Sequence, residues 1–414
     1  MKRKRSAENP VLRLMGHRGT VYSAVFNRSG DAVVTASRDW TARLWDARTG
    51  ELKAVLEGHT DDVNSAAFNR SGDAVVTAIE DGTARIWDAT TGELKAVLKG
   101  HGDYVHTAPF NRSGDAVVTA NYDMTARIWD ATTGKLKAVL QGHTDDVNSA
   151  AFSRSGDAVV TASSDRTARI WDATTGELKA VLEGHTGTVV SAAFNRSGDA
   201  VVTASYDKTA RLWDATTGEC KTVLEGHTDW VTSAEFSQNG DAVVTVSNDK
   251  TARLWDATTG ELKAVLEGHT GAVYSAAFNR SGDAVVTAGW DRTARIWDAT
   301  TGEPKAVLEG HHGPVYSAVF NRSGDAVLTA SRDGTARIWN LWNLTVEEET
   351  CVICHESMTK TLPCGHTFHA ACIATWLKRS ATCPTCREPV CVRVKDIGTS
   401  GEDAGAAPLP PSAG

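Results

Sequence analysis

The chain has 414 residues, 41% of them hydrophobic and 23% charged, which is enough length for large cores and more than one domain. A net charge of -8 and a pI near 5.9 give no overall electrostatic reason to sit on nucleic acid or an anionic membrane, leaving only a local basic patch as a route to either. No run approaches the ~20 apolar residues of a membrane span, so no membrane and no nucleic acid is expected among the partners.

Residues 1–9 form a basic N-terminal segment in which the polar S-A-E-N, and no apolar stretch, follows M-K-R-K-R. No secretory signal is expected, and an intracellular protein, cytoplasmic with a nuclear site as the further option, is the expectation. The K-R-K-R run reads as a solvated tail, with a nuclear address as the other reading.

From residue 10 onward one unit repeats. The pair Gly-His recurs eight times at 42-residue intervals, from Gly16-His17 to Gly310-His311. Twenty-eight residues after each His stands a Trp, from Trp45 to Trp339; seven read W-D, and the last is Trp339-Asn340. Within one unit, V-Y-S-A-V-F, D-A-V-V-T-A-S, T-A-R-L-W and E-L-K-A-V-L are separated by N-R-S-G, a polar turn at Asp39, and R-T-G. These are four predicted strands joined by tight turns. So small a unit cannot cover both faces of its own sheet, and its neighbours must.

On these residues, 10–341 resembles the WD-repeat β-propeller family. The expected fold is all-β, an eight-bladed propeller followed by a small second domain. The resemblance implies a buried hydrogen-bonded tetrad in each blade, His17, Thr35, Asp39 and Trp45 in the first. All four residue types recur in every copy, and their implied role is structural. The eighth copy stops at Asn340 after its third strand, so V-L-R-L-M at 11–15 is expected to supply the missing outer strand and hide two sheet edges. The competitor, L-W-N-L-T-V at 341–346, lacks the T-T-G-E turn and reads as a linker contact.

Compared with one another, the copies disagree mainly at two places. The first, at the entry to the first strand, supplies Tyr22, Asp62, Tyr104, Asp146, Trp230, Tyr274 and Tyr316. The second, just before the tetrad Asp, supplies Arg38, Glu80, Tyr122, Tyr206, Trp290 and Arg332. Family geometry puts both on one rim of the central channel. All six tyrosines fall in these sets. Exposed aromatics among charges suit a docking face for a protein or peptide.

Seven of the eight cysteines crowd into the tail, which in a chain with no export signal favours metal over disulfides. The donors read C-x2-C-x9-C-x-H-x2-H-x2-C-x10-C-x2-C from Cys351 to Cys386. Two-residue gaps aim paired ligands at one ion, and eight donors fill two closed tetrahedral zinc sites. Closed coordination argues against a catalytic nucleophile among the donor cysteines, and no free Cys-His pair stands out.

Residues 348–391 resemble a RING finger of the two-histidine type. The resemblance implies a cross-braced module in which Cys351, Cys354, His369 and Cys372 take one zinc, and Cys364, His366, Cys383 and Cys386 the other; spacing alone also permits sequential sites. It further implies that Ile353, Trp376 and Pro384 contact a ubiquitin-conjugating enzyme, and that Arg387 is the linchpin bridging that enzyme and ubiquitin. Together with the propeller this reads as a RING-type ubiquitin ligase; the alternative is a non-catalytic scaffold with a structural zinc module. Residues 342–347 are the linker, and 392–414, rich in Gly, Ala and Pro, are expected to be disordered.

Overall fold

The computed structural model describes residues 11–341 and, beyond them, three short strands, Thr359–Thr361, Thr367–His369 and Val392–Lys395. Regular structure among the described residues is β-strand, arranged as eight blades around one axis.

The first elements show how the repeat becomes a blade. Strands β1 (Val11–Leu14), β2 (Val21–Phe26), β3 (Ala32–Ser37), β4 (Ala42–Asp46) and β5 (Leu52–Leu56) follow in order, and β2-β3-β4-β5 form one antiparallel sheet. β3 reads A-V-V-T-A-S and is buried on both faces, which is why it shows no polar alternation. β5 is the wet edge, with Leu52 and Lys53 exposed. Its Lys53 pairs with Asp46 at 3.3 Å, and the same Asp46 accepts the backbone N–H groups of Arg48 and Thr49 at 2.9 and 3.0 Å. The acid of W-D therefore holds the turn into the edge strand, and the edge lysine discourages pairing with other chains.

Glycine precedes each histidine because the backbone there has positive φ, +151° at Gly142 and +109° at Gly58, a conformation that L side chains rarely adopt.

Apolar cores lie between blades, not within them. Val21, Ala24, Val33 and Trp45 of the first blade pack against Leu328, Ala330 and Ile338 of the eighth. Trp45 retains 1% exposure, and truncating so buried an indole costs about 3–5 kcal/mol. Innermost strands are also stitched across blades: Asn148 Nδ2 donates to the Val189 carbonyl at 3.0 Å, and Thr232 Oγ1 to that of Val273 at 3.0 Å.

The ring closes as expected. β1 pairs antiparallel with Ala336–Asn340, Val11 opposite Trp339 and Leu14 opposite Ala336, completing the eighth blade. Asn340 replaces the usual acid at the one blade whose third strand is not followed by a T-G turn into an outer strand.

One expectation is corrected at the other end of the chain. Residues 392–395, assigned above to the disordered tail, form a strand parallel to Pro304–Glu309, with Ala306 opposite Val392 and Glu309 opposite Lys395. This makes the seventh blade five-stranded and covers an edge that other blades leave open. Ala306 and Val307 are accordingly buried, where Ala54 and Val55 of the first blade are half-buried.

Candidate functional site

The tetrads form. His17 Nδ1 lies 2.8 Å from Asp39 Oδ2 and its Nε2 2.7 Å from Thr35 Oγ1, while Trp45 Nε1 donates to Thr35 Oγ1 at 2.9 Å. A carboxylate only accepts and an indole only donates. The ring therefore gives its Nδ1 proton to Asp39, and Nε2 accepts from the threonine hydroxyl. Electrostatics agree: burial pulls His17 below its ordinary value against the raising influence of Asp39. Burial works against ionisation of Asp39, but hydrogen bonds from His17, Thr41 and the Arg18 backbone outweigh it and hold that carboxyl well below the usual range. A neutral imidazole locked at both nitrogens has no proton to exchange with a substrate. The tetrad is structural.

The second blade departs from the pattern. His59 Nδ1 meets the Trp40 carbonyl of the preceding blade at 3.1 Å, and Asp81 turns to Thr60 Oγ1 at 2.9 Å and to Arg85 at 3.3 Å. With no carboxylate bound to its ring, and with burial as the main cause, His59 is pulled down to about 4.

The two variable sets are joined by the backbone. Arg38 N–H donates to the Thr20 carbonyl at 2.9 Å, Glu80 to Asp62 at 3.0 Å, Tyr122 to Tyr104 at 3.2 Å and Tyr206 to Thr188 at 2.9 Å. The remaining blades repeat it as Ser164 to Asp146, Asn248 to Trp230, Trp290 to Ala272 and Arg332 to Pro314. Main-chain atoms thus fix the rim's frame, and side chains are free to differ without unfolding it.

Rim side chains gather into groups. Tyr22, Tyr316, Tyr274 and Trp290 form a chain of ring contacts across three blades, with centroids 6.0, 5.7 and 5.9 Å apart, ending in the Arg332 guanidinium 5.9 Å from Trp290. A cleft of about 680 Å³ opens beside Trp290, Arg332 and Pro314. Tyr22 also donates its hydroxyl to Asp62 at 3.2 Å, and Arg38 stands 3.6 Å from the same carboxylate. Burial, then Asp62, pushes the Tyr22 phenol up to about 12. Glu80 is pushed up by burial and by Asp62, and Asp146 by burial and by Asp145 and Asp103. Tyr104 and Tyr122 meet at 6.2 Å, and Tyr206 stacks on Trp230 at 4.3 Å.

Sequence reasoning missed Trp40 and Met124. Both follow the tetrad Asp, both are exposed (51% and 46%), and both carry positive φ, +64° and +63°. Holding a bulky residue left-handed costs roughly 1–2 kcal/mol. The signal was available: this third position reads Trp40, Gly82, Met124, Arg166, Lys208, Lys250, Arg292 and Gly334, varying as much as the other two.

Side chains of the eight zinc donors, and of Ile353, Trp376, Pro384 and Arg387, lie outside the described residues. The backbone pairs Thr359–Thr361 with Thr367–His369, Thr359 opposite His369. Cys364 and His366 fall between these strands in sequence, and His369 ends the second.

Known proteins resemble the chain in two parts. Residues 8–46, 50–88, 92–130, 134–172, 176–214, 218–256, 260–298 and 302–340 match the family described as WD domain, G-beta repeat. Each matched unit ends at the tetrad strand and begins with the preceding blade's outer strand. Repeat and blade are therefore offset by one strand, which is the offset that lets β1 close the ring. Residues 349–387 match the Ring finger domain family, and that span contains all eight donors. The E3 ubiquitin-protein ligase DZIP3 of Mus musculus is 56% identical over 45 residues, and that of Homo sapiens 58% over 44. Each of these matches spans 10% of this chain and only 4% of the relative. Among solved structures, the computationally designed Ika8 protein is similar with a TM-score of 0.72 at 30% identity, over 79% of this chain and 98% of Ika8.

Proposed function

The chain belongs to the WD-repeat family and carries a Ring finger domain behind its repeats, and we propose that it is a RING-type ubiquitin ligase which holds a protein substrate on the propeller rim. The carrying observation is a Ring finger match with a full donor set, in one chain with a rim whose frame is constant and whose side chains vary.

RING domains bind zinc, and the donors fit it: six thiols and two imidazoles, with no carboxylate among them. Two ions are assigned in cross-braced fashion, one to Cys351, Cys354, His369 and Cys372, the other to Cys364, His366, Cys383 and Cys386. When bound, zinc supplies tetrahedral cross-links to a module too small for a core of its own, worth ~10–16 kcal/mol in comparable peptides.

Ile353, Trp376 and Pro384 form the apolar contact for the conjugating enzyme. Arg387, with its planar fork of donors, bridges that enzyme and ubiquitin. In the transfer itself a substrate lysine attacks the thioester carbonyl, the C–N bond forms, the C–S bond breaks and the conjugating enzyme's thiol leaves. This chain forms no covalent intermediate; its residues hold donor and acceptor in range, and acceleration comes from positioning. An intracellular location, where conjugating enzymes act, goes with this reading.

The test is autoubiquitination with a panel of conjugating enzymes, comparing wild type with Ile353→Ala and Arg387→Ala. Activity lost in both variants supports the ligase. Silence of the wild type with every enzyme favours a scaffold whose zinc module only binds.

A further inference from the structure

The opposite mouth of the channel is built from the N-R-S-G-D turns between the first and second strands of each blade. Seven of the eight turns carry arginine: Arg28, Arg70, Arg112, Arg154, Arg196, Arg280 and Arg322, with Gln238 in the sixth blade. A single depression of about 400 Å³ is lined by six of these arginines and by Gln238, together with Phe278 and Phe320. Turns from seven different blades can meet in one depression only on the propeller axis. The arginines therefore converge.

Among the described residues these guanidiniums have no ion-pair partners. Each turn does contain an acid, but it is engaged elsewhere: Asp31 Oδ1 accepts from Asn27 Nδ2 at 2.7 Å and Ser29 Oγ at 2.6 Å, and the charge it feels is Lys53 on the outer edge strand. The arrangement recurs with Asn111, Ser113 and Asp115, whose charge partner is Lys137. The acids are thus held within their own turns, while the arginines line the axial depression. Among the described residues none of the seven arginines makes an ion pair, and Arg196 alone donates a hydrogen bond, to the Gln238 carbonyl at 3.4 Å. They repel one another instead. Arg322 feels Arg280 and Arg28, and Arg154 feels partial burial and then Arg112, Arg196 and Arg70, so both hold their protons less firmly than an isolated arginine.

An unneutralised ring of planar, bidentate donors around a small depression is suited to a compact anion with several phosphate groups. The volume lies within the ~300–1,000 Å³ range of small-ligand sites. A long polyanion fits less well, because the turns outside the ring present Asp46, Asp88 and their counterparts beside Glu51 and Glu93. We propose that this mouth of the channel binds a multiply phosphorylated small anion of inositol-polyphosphate or short-polyphosphate type. Such a ligand relieves the repulsion among the arginines and ties several blades together at the axis, on the face away from the variable rim.

Calorimetric titration of the full chain with inositol hexakisphosphate, and separately with a short polyphosphate, tests this. Saturable binding that weakens as salt is raised is expected, and the tighter of the two identifies the source. Replacing Arg70, Arg154 and Arg322 together by Gln should weaken binding roughly tenfold or more, while Arg292→Gln on the opposite rim should not. A gain variant guards against a folding defect: Gln238→Arg completes the ring and should tighten binding. The proposal is overturned if neither anion binds saturably, if both sets of ring variants leave the affinity unchanged, or if a single-stranded oligonucleotide binds as tightly with the same dependence on the ring.

Discussion

Trp230 of the sixth blade lies flat on Tyr206 of the fifth, ring centroids 4.3 Å apart and planes 17° from parallel. Such a pair is worth about 0.5–1.5 kcal/mol beyond its area, too little to matter to a propeller with eight inter-blade cores. Yet Trp230 leaves 46% of its surface to solvent. Tyr206→Ala with Trp230→Ala is therefore expected to leave the melting temperature within a few degrees of wild type while changing the proteins captured by proximity labelling. Identical captured sets would remove this part of the rim from the docking face.

The tetrads separate by blade. Thr203 is fully buried, accepts from Trp213 Nε1 at 2.8 Å and lies 2.7 Å from His185 Nε2. Thr203→Val keeps the shape and leaves both nitrogens unpaired, at a cost of about 2–3 kcal/mol in denaturant unfolding. Asp207→Asn should cost more than Asp81→Asn, because Asp207 holds His185 at 2.7 Å whereas His59 bonds to the Trp40 carbonyl instead. Equal losses would mean that the second blade adopts the common arrangement in solution.

Acidification should unfold the propeller, and the sign follows from the shifts. His17, His59, His101 and His269 are depressed, all chiefly by burial, so their contribution is complete above the unfolded imidazole value and drains away as pH falls through the range below it. The tetrad acids Asp39, Asp165, Asp207 and Asp333, also depressed, withdraw theirs below the ordinary carboxylate range. Two descending stages in melting temperature, one beginning near pH 6 and one below pH 4, are expected. A flat profile down to pH 4 would contradict the first.

Glu235 works in the opposite sense. It stands on the innermost strand of the sixth blade, where other copies carry Val25, Ala67, Pro109, Ala151, Ala193, Ala277 or Val319, and burial pushes its carboxyl up to about 7. A raised acid favours the folded state at low pH, and that advantage is lost as pH climbs from the unfolded value toward the folded one. Glu235→Gln should therefore stabilise the protein at pH 8 by about 2 kcal/mol and by little at pH 4. Destabilisation at pH 8 would show that the carboxylate has a partner.

The parallel strand at Val392–Lys395 predicts protection of an edge. Val394→Pro removes a donor and cannot pair in register with Leu308. Faster hydrogen exchange at Pro304–Glu309, with no change at Leu52–Leu56, is the expected outcome.

Much of this was legible beforehand because it is local. A 42-residue period, four β-type runs per copy and the recurrence of His, Thr, Asp and Trp at fixed offsets determined the blades, their number and their tetrads. Donor spacing likewise marked the span that matches the Ring finger family, since two-residue gaps are a property of the chain itself. The arginine turns are equally visible in the sequence, but a residue that is nearly constant gives no contrast between copies to mark it as functional.

What the sequence alone could not decide depends on contacts between segments far apart in the chain. Whether β1 or residues 341–346 completed the eighth blade, whether His59 bonded to its own aspartate or to the neighbouring blade's carbonyl, and whether 392–395 found a sheet edge were all settled by ring geometry. Periodicity specifies what each strand buries, but the partner at an open edge is chosen by where closure brings distant residues together. The same closure gathers Arg28, Arg154 and Arg322, up to 294 residues apart in sequence, around one axis.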